Sequence, residues 1–451
     1  IMGKHELLRL LDCDRDVETI PTSVLGFCKI SESTGMFTFP ALEELKAYRV
    51  IVCTCLDAHL LYRSGFTNWT MNTWTTCFKN YIESRIQQGG LRLDGTIAGP
   101  STRTHFTHLF IDEAAQATEP ETFIPLSVVV DPTPGVRKVE IALVGDPRQL
   151  GPRVYSITAA KHGLNMSYLE RLLQRPNEVA LAEETKSAIP QQIGSMEELM
   201  AYYNEERDET SVFLHLNYRS EPAFLMVPSA LFYFDKLECA LDRNSADPAL
   251  TEYWCAKLRL LEAERVRVGL DDELAGDISA DIPKMFRPFK QDHWPIHFRG
   301  VVGKDVSVAL DNFSGTNSWS NTEEAKEVLE IVLNLVSNQV DPTTIGVMAA
   351  YRGQVVRIRR LLRKANLGIV NVGTVEDYQA VERKVIVLSL TRSTPEFVEY
   401  DIKRRAGVFQ QPKMMNVALT RAEHLLIVVG NPDVMADCPI WRQFLWFCLR
   451  N

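Results

Sequence analysis

Two acids at the end of an apolar run can hold a metal ion and turn water into a nucleophile. The segment THLFIDEAAQATEP (107–120) has that form. His108 to Ile111 predicts a short buried strand. Asp112 and Glu113 stand at its C-terminal end, where open α/β sheets bind ligands. One carboxylate there suits water-mediated Mg2+, and its neighbour suits an attacking water. A second run, ALVGDPRQLGP (142–152), ends in a turn with Asp146, Arg148 and Gln149. Gln149 could bond both a terminal phosphate and the attacking water. Read singly, the acids could be a strand end with a helix cap, and the glutamine a turn-stabilising side chain.

Cations with matching chemistry stand downstream. LHLNYRSEP (214–222) carries Arg219, and NVALTRAEH (416–424) carries Arg421 just before an apolar run. An arginine can neutralise charge on a phosphoryl group in flight, although a lone arginine is ordinarily a surface ion pair. VGTVEDYQAVERKVIVLSL (372–390) joins two strand-like runs through a polar bend. In that bend Thr374 could bond a nucleic-acid phosphate and Glu382 could couple to a nucleotide. YRGQVVRIRRLLRK (351–364) predicts an amphipathic basic helix, with Val355, Ile358, Leu361 and Leu362 on the inward face. Most of its arginines read as a solvated face. Tyr351 and Arg352, at its start, are the better candidates for nucleic-acid backbone contact.

The elements that must position these groups fall into two sets. Short apolar runs at 49–55, 107–113 and 139–146 form one, and runs at 343–351, 367–375, 383–390 and 424–431 form the other. Each run is nearly continuous in apolar residues, as for parallel strands covered on both faces. Two α/β sheets follow, in domains expected at 1–208 and 209–451. The stretch 66–104 is long for a connection and is expected to be an insertion, a lid or a flexible excursion. A second, acidic insertion is expected at about 240–290, and 177–210 at helices plus a connector.

The chain has 451 residues with 45% hydrophobic and 24% charged, an ordinary globular composition. No apolar run is long enough to span a membrane. The net charge of −9 excludes a general nucleic-acid sponge, so any nucleic acid needs a local basic or polar groove. The nine cysteines are scattered, show no paired CxxC spacing, and read as reduced core thiols.

Taken in order, DEAAQ, GDPRQLGP, NYRS, AYRGQ, TVEDYQAVE and NVALTRA resemble motifs II to VI of superfamily 1 helicases. The branch is that of the nonsense-mediated-decay helicase and the Armitage-like RNA-silencing helicases. HGLNMSYLERLL (162–173), VPSALFYFDKLE (227–238) and SWSNTEEA (318–325) resemble the Armitage-like subgroup in particular. The resemblance covers nearly all of residues 40–435. It implies two RecA-like domains with ATP in the cleft between them and RNA, single-stranded or duplex, across their shared top face. Carried over by motif, Asp112 handles Mg2+, Glu113 positions water and Gln149 senses the γ-phosphate. Arg219 and Arg421 contact phosphates, with Glu382 in the same site. Thr54 and Thr374 contact nucleic acid. The implied activity is an ATP-dependent RNA helicase in RNA silencing or turnover. It would work with RNA-silencing proteins in the cytoplasm, in ribonucleoprotein granules or around the nucleus, and without a membrane.

The departures are informative. QAVE (379–382) stands where the family has Gln-Gly-x-Glu, and Ala380 costs backbone freedom if φ is positive there. Ala350 replaces a usual proline. The family's phosphate loop, Gly-x-x-x-x-Gly-Lys-Ser/Thr, is missing: Gly3-Lys4 precedes His5 and Gly303-Lys304 precedes Asp305. The expectation is a C-terminal portion of a longer helicase, with the first domain incomplete at its N-terminus. The alternative is a non-catalytic pseudo-helicase that serves as an RNA-binding or scaffold module.

Overall fold

A computed structural model describes residues 5–87, 104–174, 211–241, 294–309, 317–404, 407–409 and 411–450. The chain divides into two compact units, Ile1–Pro147 with Gly151–Pro176, and Arg148–Leu150 with Asn177–Asn451. The α/β class is as expected, with RecA-like parallel sheets in both units. The domain boundary expected at 208/209, the connector at 177–210 and most of the insertion at 240–290 lie outside the described residues. Helices of eight or more residues are numbered below.

In the first unit, β1 (Leu7–Arg9) pairs in parallel with β2 (Val50–Val52). The stretch 66–104, expected as an insertion, a lid or a flexible excursion, begins as a 20-residue helix, α1 (Asn68–Gln87), and 88–103 lie outside the described residues. Asn68 pins the start of α1. Its amide Nδ2 donates to Phe106 O at 2.8 Å and Val129 O at 2.6 Å, and its Oδ1 accepts from Phe106 N at 2.8 Å. The sequence hid this helix because its outward side is not polar: Trp69, Trp74, Phe78 and Tyr81 are exposed. Next, β3 (His108–Ile111) and β4 (Glu140–Leu143) pair in parallel. Between them, α2 (Glu119–Val129) starts on a capping box of Thr118 and Glu121. Val128 and Val129 of α2 pack with Leu8, Leu10, Leu45, Leu61 and Phe66. The expectation of cover on both faces fails in this unit. Leu109 and Ile111 face packed cores, whereas Phe110, between them, is 74% exposed. Strand neighbours point to opposite faces, and no described helix packs over Phe110.

The second unit opens with a short parallel pair, β5 (Leu216–Asn217) with β6 (Glu238–Cys239), around α3 (Pro222–Phe232). Then come β7 (Ile296–Gly300) and an antiparallel pair, β8 (Asp305–Ala309) with β9 (Asn317–Asn321). They are followed by α4 (Thr322–Ser337), β10 (Ile345–Ala349), α5 (Arg352–Lys364) and β11 (Asn371–Thr374). The chain closes with β12 (Arg383–Ser389), α6 (Pro395–Arg404), α7 (Pro412–Leu419), β13 (Ala422–Gly430) and α8 (Pro439–Arg450). The sheet order is β11-β10-β12-β13-β7, every pairing parallel.

Here both faces are covered, as continuous apolar strands require. Val347, Val385, Val387 and Ile427 pack on one side with Val328 and Leu335 of α4 and Ile358 and Leu362 of α5. Met348, Ile386, Leu388 and Val428 pack on the other with Met415 of α7 and Trp441 and Phe444 of α8. Each such side chain, fully buried, contributes about 1.5–3 kcal/mol. Within this unit the covered sheet is a rigid platform whose two ends carry different polar groups.

Candidate functional site

In the first unit, β3 delivers Asp112 and Glu113 to solvent at its C-terminal end. Asp112 Oδ1 accepts from Glu113 N at 2.9 Å, which turns the backbone so that Glu113 takes φ 51°. A non-glycine residue in that region marks strain held by its surroundings. The surroundings are specific: Gln116 Nε2 donates to Glu113 Oε2 at 2.7 Å, and Ala114 N donates to Val144 O at 2.8 Å. Gly145 completes the fit. A Cβ there would lie 2.8 Å from Ala115 N and 3.0 Å from Ala114 N, so only glycine lets the turn after β4 reach the turn after β3. Asp112 keeps Oδ2 for a further partner. Among the described residues no group of three or more His, Cys, Asp or Glu could cage a metal. A single free carboxylate fits Mg2+ held mainly by phosphates and water.

Thr54 follows β2 and is exposed, with its Oγ1 accepting from Asp57 N at 2.9 Å. Its neighbour Cys53 is a half-buried thiol, pushed up to about 11 by burial.

In the second unit, Gln149, Arg219, Glu382 and Arg421 form two pairs. Arg421 is 2% exposed. Its Nη2 donates to Gln149 Oε1 at 3.2 Å and to Thr420 Oγ1 at 3.1 Å, and its Nε to Val417 O at 3.2 Å. Segment 148–150 is further held by Asn416 Nδ2 on Arg148 O at 3.1 Å and Gln379 Nε2 on Leu150 O at 3.3 Å. Gln149, expected in the first domain, thus clusters with the second unit. Arg219 Nε donates to Glu382 Oε2 at 2.5 Å. The NYRS turn is fixed by Asn217 Oδ1, which accepts from Arg219 N at 3.0 Å and Ser220 N at 2.9 Å. Ser220 Oγ then donates to Ala422 O at 2.8 Å. Arg383 pairs with Ala422 across β12 and β13, so Glu382 and Arg421 flank one rung at the N-terminal ends of these strands.

Tyr351, Arg352 and Thr374 stand at the other end, after β10 and at the tip of β11. Thr374 is buried, and its Oγ1 accepts from Asp377 N at 3.3 Å. Arg352 is exposed, with Nη2 3.7 Å from Asp377 Oδ1. The Tyr351 hydroxyl is engaged inside the unit, donating to Asp401, and burial pushes its phenol up.

Two groups at this end escaped the sequence reading. Arg392, fully buried, donates from Nε and Nη2 to the two oxygens of Asp401, each at 2.7 Å, and from Nη1 to Asp305 at 3.1 Å. Its guanidinium lies 4.2 Å from the Trp319 ring and 4.6 Å from the Tyr351 ring. It therefore locks Tyr351, the β8–β9 pair and α6 together. Gly407, at φ 79°, closes on this cluster, where a Cβ would overlap the Tyr351 hydroxyl. The second group is Glu324, fully buried, which accepts from Ser389 Oγ and Thr391 N at 2.7 Å each. Burial pushes its carboxyl up to about 8. Arg392 stands three residues beyond the end of β12, and no local sequence signal marks it.

Comparison with known proteins accords with this geometry. AAA-domain families match residues 195–433 and 98–157. The chain is 35% identical over 460 residues to "RNA helicase Mov10l1" of Homo sapiens, covering 96% of this chain and 31% of that protein. It is 30% identical over 447 residues to "Probable RNA helicase armi" of Drosophila melanogaster, covering 99% of this chain and 32% of that protein. The chain spans about a third of the length of the curated relatives it matches. The more extensive AAA-domain match takes in over half the chain, and the ordered motifs lie on two RecA-like units: the chain belongs to the superfamily 1 helicases, in the nonsense-mediated-decay-helicase-like branch that holds the Armitage-like proteins.

Proposed function

We propose that this chain is the motor core of an ATP-dependent RNA helicase acting in RNA silencing or RNA turnover. The observation that carries the proposal is the pairing of Arg421 with Gln149 beside Arg219 with Glu382 at one end of the second sheet. Buried or ion-paired arginines held at fixed positions are suited to phosphoryl charge. Asp112 would hold Mg2+, which supplies charge neutralisation on the phosphates when bound. Glu113, held by Gln116, would take the proton of the attacking water. Arg219 and Arg421 would bind the phosphate oxygens, and Gln149 would change partner with the state of the terminal phosphate. Thr54, Arg352 and Thr374 would contact RNA, and the exposed edge of the Tyr351 ring would flank it.

The 451 residues contain no Gly-x-x-x-x-Gly-Lys-Ser/Thr. A triphosphate facing Asp112 and Glu113 without a backbone N–H cradle and a loop lysine is repelled. We therefore expect no RNA-stimulated ATP hydrolysis from this chain by itself. The same observation favours a second reading, an RNA-binding module without turnover. One experiment separates the two. The chain is joined at its N-terminus to a strand, a Gly-x-x-x-x-Gly-Lys-Thr loop and a helix, and hydrolysis is measured with and without RNA. The motor reading expects RNA-stimulated turnover that Glu113→Gln abolishes while ATP and RNA binding persist. Turnover within a few-fold of the parent after Glu113→Gln would remove that residue from the reaction. RNA binding with no turnover at all would leave the scaffold reading.

A further inference from the structure

Beyond Arg352, the outward side of α5 carries cations that the motifs do not use. Arg352, Val356, Arg359 and Arg363 recur at i, i+4, i+7 and i+11, so they share one face. Arg360 and Lys364 flank that face, while Val355, Ile358 and Leu362 are buried on the opposite side. Arg359 is pinned, its Nε donating to Val372 O at 3.0 Å. Arg360, Arg363 and Lys364 are exposed, and their side chains have no hydrogen bond or ion pair among the described residues. Two adjoining hollows open on this face. One of 470 Å3 is lined by Val356, Arg359, Arg360, Arg363 and Lys364. The other, of 260 Å3, lies between Arg359, Arg363 and the turn at 367–371.

The arrangement works against the helix that carries it. Arg359 with Arg363, and Arg360 with Lys364, are like charges at i, i+4, each pair destabilising by about 0.2–0.5 kcal/mol. The helix dipole favours cations in the last turn, which accounts for Arg363 and Lys364 but not for Arg359 and Arg360. In a chain of net charge −9, four neighbouring cations on one hollowed face are a local site for an anion.

We propose that this face binds the phosphate backbone of a single-stranded RNA that continues from Arg352 along α5. The proposal rests on the RNA reading above and extends it. One feature favours RNA over an acidic protein. The stripe is continuous with Arg352, where the RNA reading places nucleic acid, and α5 carries it a further ~16 Å toward the N-terminal ends of β10 and β11.

The test uses the 451-residue chain and a fluorescent 20-nucleotide oligouridine, with affinity measured between 50 and 200 mM salt. The variant is Arg360→Gln with Arg363→Gln and Lys364→Gln, all exposed positions on a helix that glutamine suits. Each phosphate contact contributes a slope of about −0.7 in log affinity against log salt for single strands. Losing three lowers the slope by about 2.1, so the wild-type affinity should fall about 18-fold more than the variant's over that range. If the triple variant is misfolded by circular dichroism, Arg363→Gln and Lys364→Gln are taken singly, each expected to lower the slope by about 0.7. Parallel salt lines for wild type and variant would overturn this proposal and leave the RNA reading standing. No RNA binding by the wild type would overturn both. A polyglutamate peptide that binds the wild type more tightly than the RNA, and loses that affinity in the variant, would assign the face to an acidic protein and overturn the proposal.

Discussion

Ala380 sits at φ 59°, two residues before Glu382, and is exposed. The left-handed region costs an L-residue roughly 1–2 kcal/mol. Ala380→Gly removes that cost. The exposed methyl fills no cavity, so nothing is lost in packing. Against the gain stands the greater freedom of glycine in the unfolded chain, worth about 0.4–1 kcal/mol. Taking the middle of each range, the second unit should gain about 0.8 kcal/mol, close to four-fold in its opening equilibrium. Thermal unfolding of two units would blur so small a change. Native-state amide exchange resolves it. The amides of Val385 to Leu388 lie in a fully buried stretch of β12 and exchange through opening of the whole sheet. Their exchange should slow about four-fold in Ala380→Gly. Unchanged or faster exchange at these amides would show that the turn is not strained as drawn. Nothing in the structure explains why alanine occupies this position.

Other perturbations have definite outcomes. Arg421→Ala and Arg219→Ala, in the phosphate-loop fusion, should slow hydrolysis by roughly 10³–10⁵ while changing nucleotide-free RNA affinity little; equal loss of both would move the arginine to the RNA surface. Glu324 has a folded pKa of about 8 against 4.5 for the free group, so it takes up a proton on folding. Its contribution therefore favours folding at pH 4.5 and below, and stability is lost as pH rises from 4.5 toward 8, by at most about 1.4 kcal/mol per pH unit. Urea unfolding followed at β12 should show that slope shrink in Glu324→Gln; an identical pH profile would mean that the carboxyl is ionised in the fold.

The second sheet was legible because β10, β12 and β13 are buried on both faces and so are continuous in apolar residues. Its margins were not. The edge strand β7 (IHFRG) and the β9 strand (NSWSN) are polar in sequence, and their pairing depends on partners far along the chain. Glu324 illustrates what only the fold can show. In SNTEEA it stands three residues after Asn321, which caps α4. In the fold its carboxyl reaches across to Ser389 and Thr391, a contact set by strand order. Asp112, Glu113, Glu382 and Arg421 were legible because each closes or opens an apolar strand, and Arg219 only through the NYRS motif. Arg392 was not, because only the fold brings Asp305, Asp401 and Trp319 around it.

The same strand order gives the second unit two working ends. Arg219, Glu382, Gln149 and Arg421 gather where β12 and β13 begin, and Tyr351, Arg352 and Thr374 stand where β10 and β11 finish. The strands between them are short and closely packed, and a close-packed interior transmits displacement instead of absorbing it. On the proposed roles, a shift imposed on Arg421 by phosphate would be carried to Tyr351 through this packing. The Arg392 cluster extends this packing outward, since Asp401 ties α6 and Asp305 ties the β8–β9 pair to the same guanidinium. Arg392→Lys keeps the charge but has one ammonium where five N–H donors stood. It should therefore loosen the end that carries Tyr351 and leave the end that carries Arg421 in place.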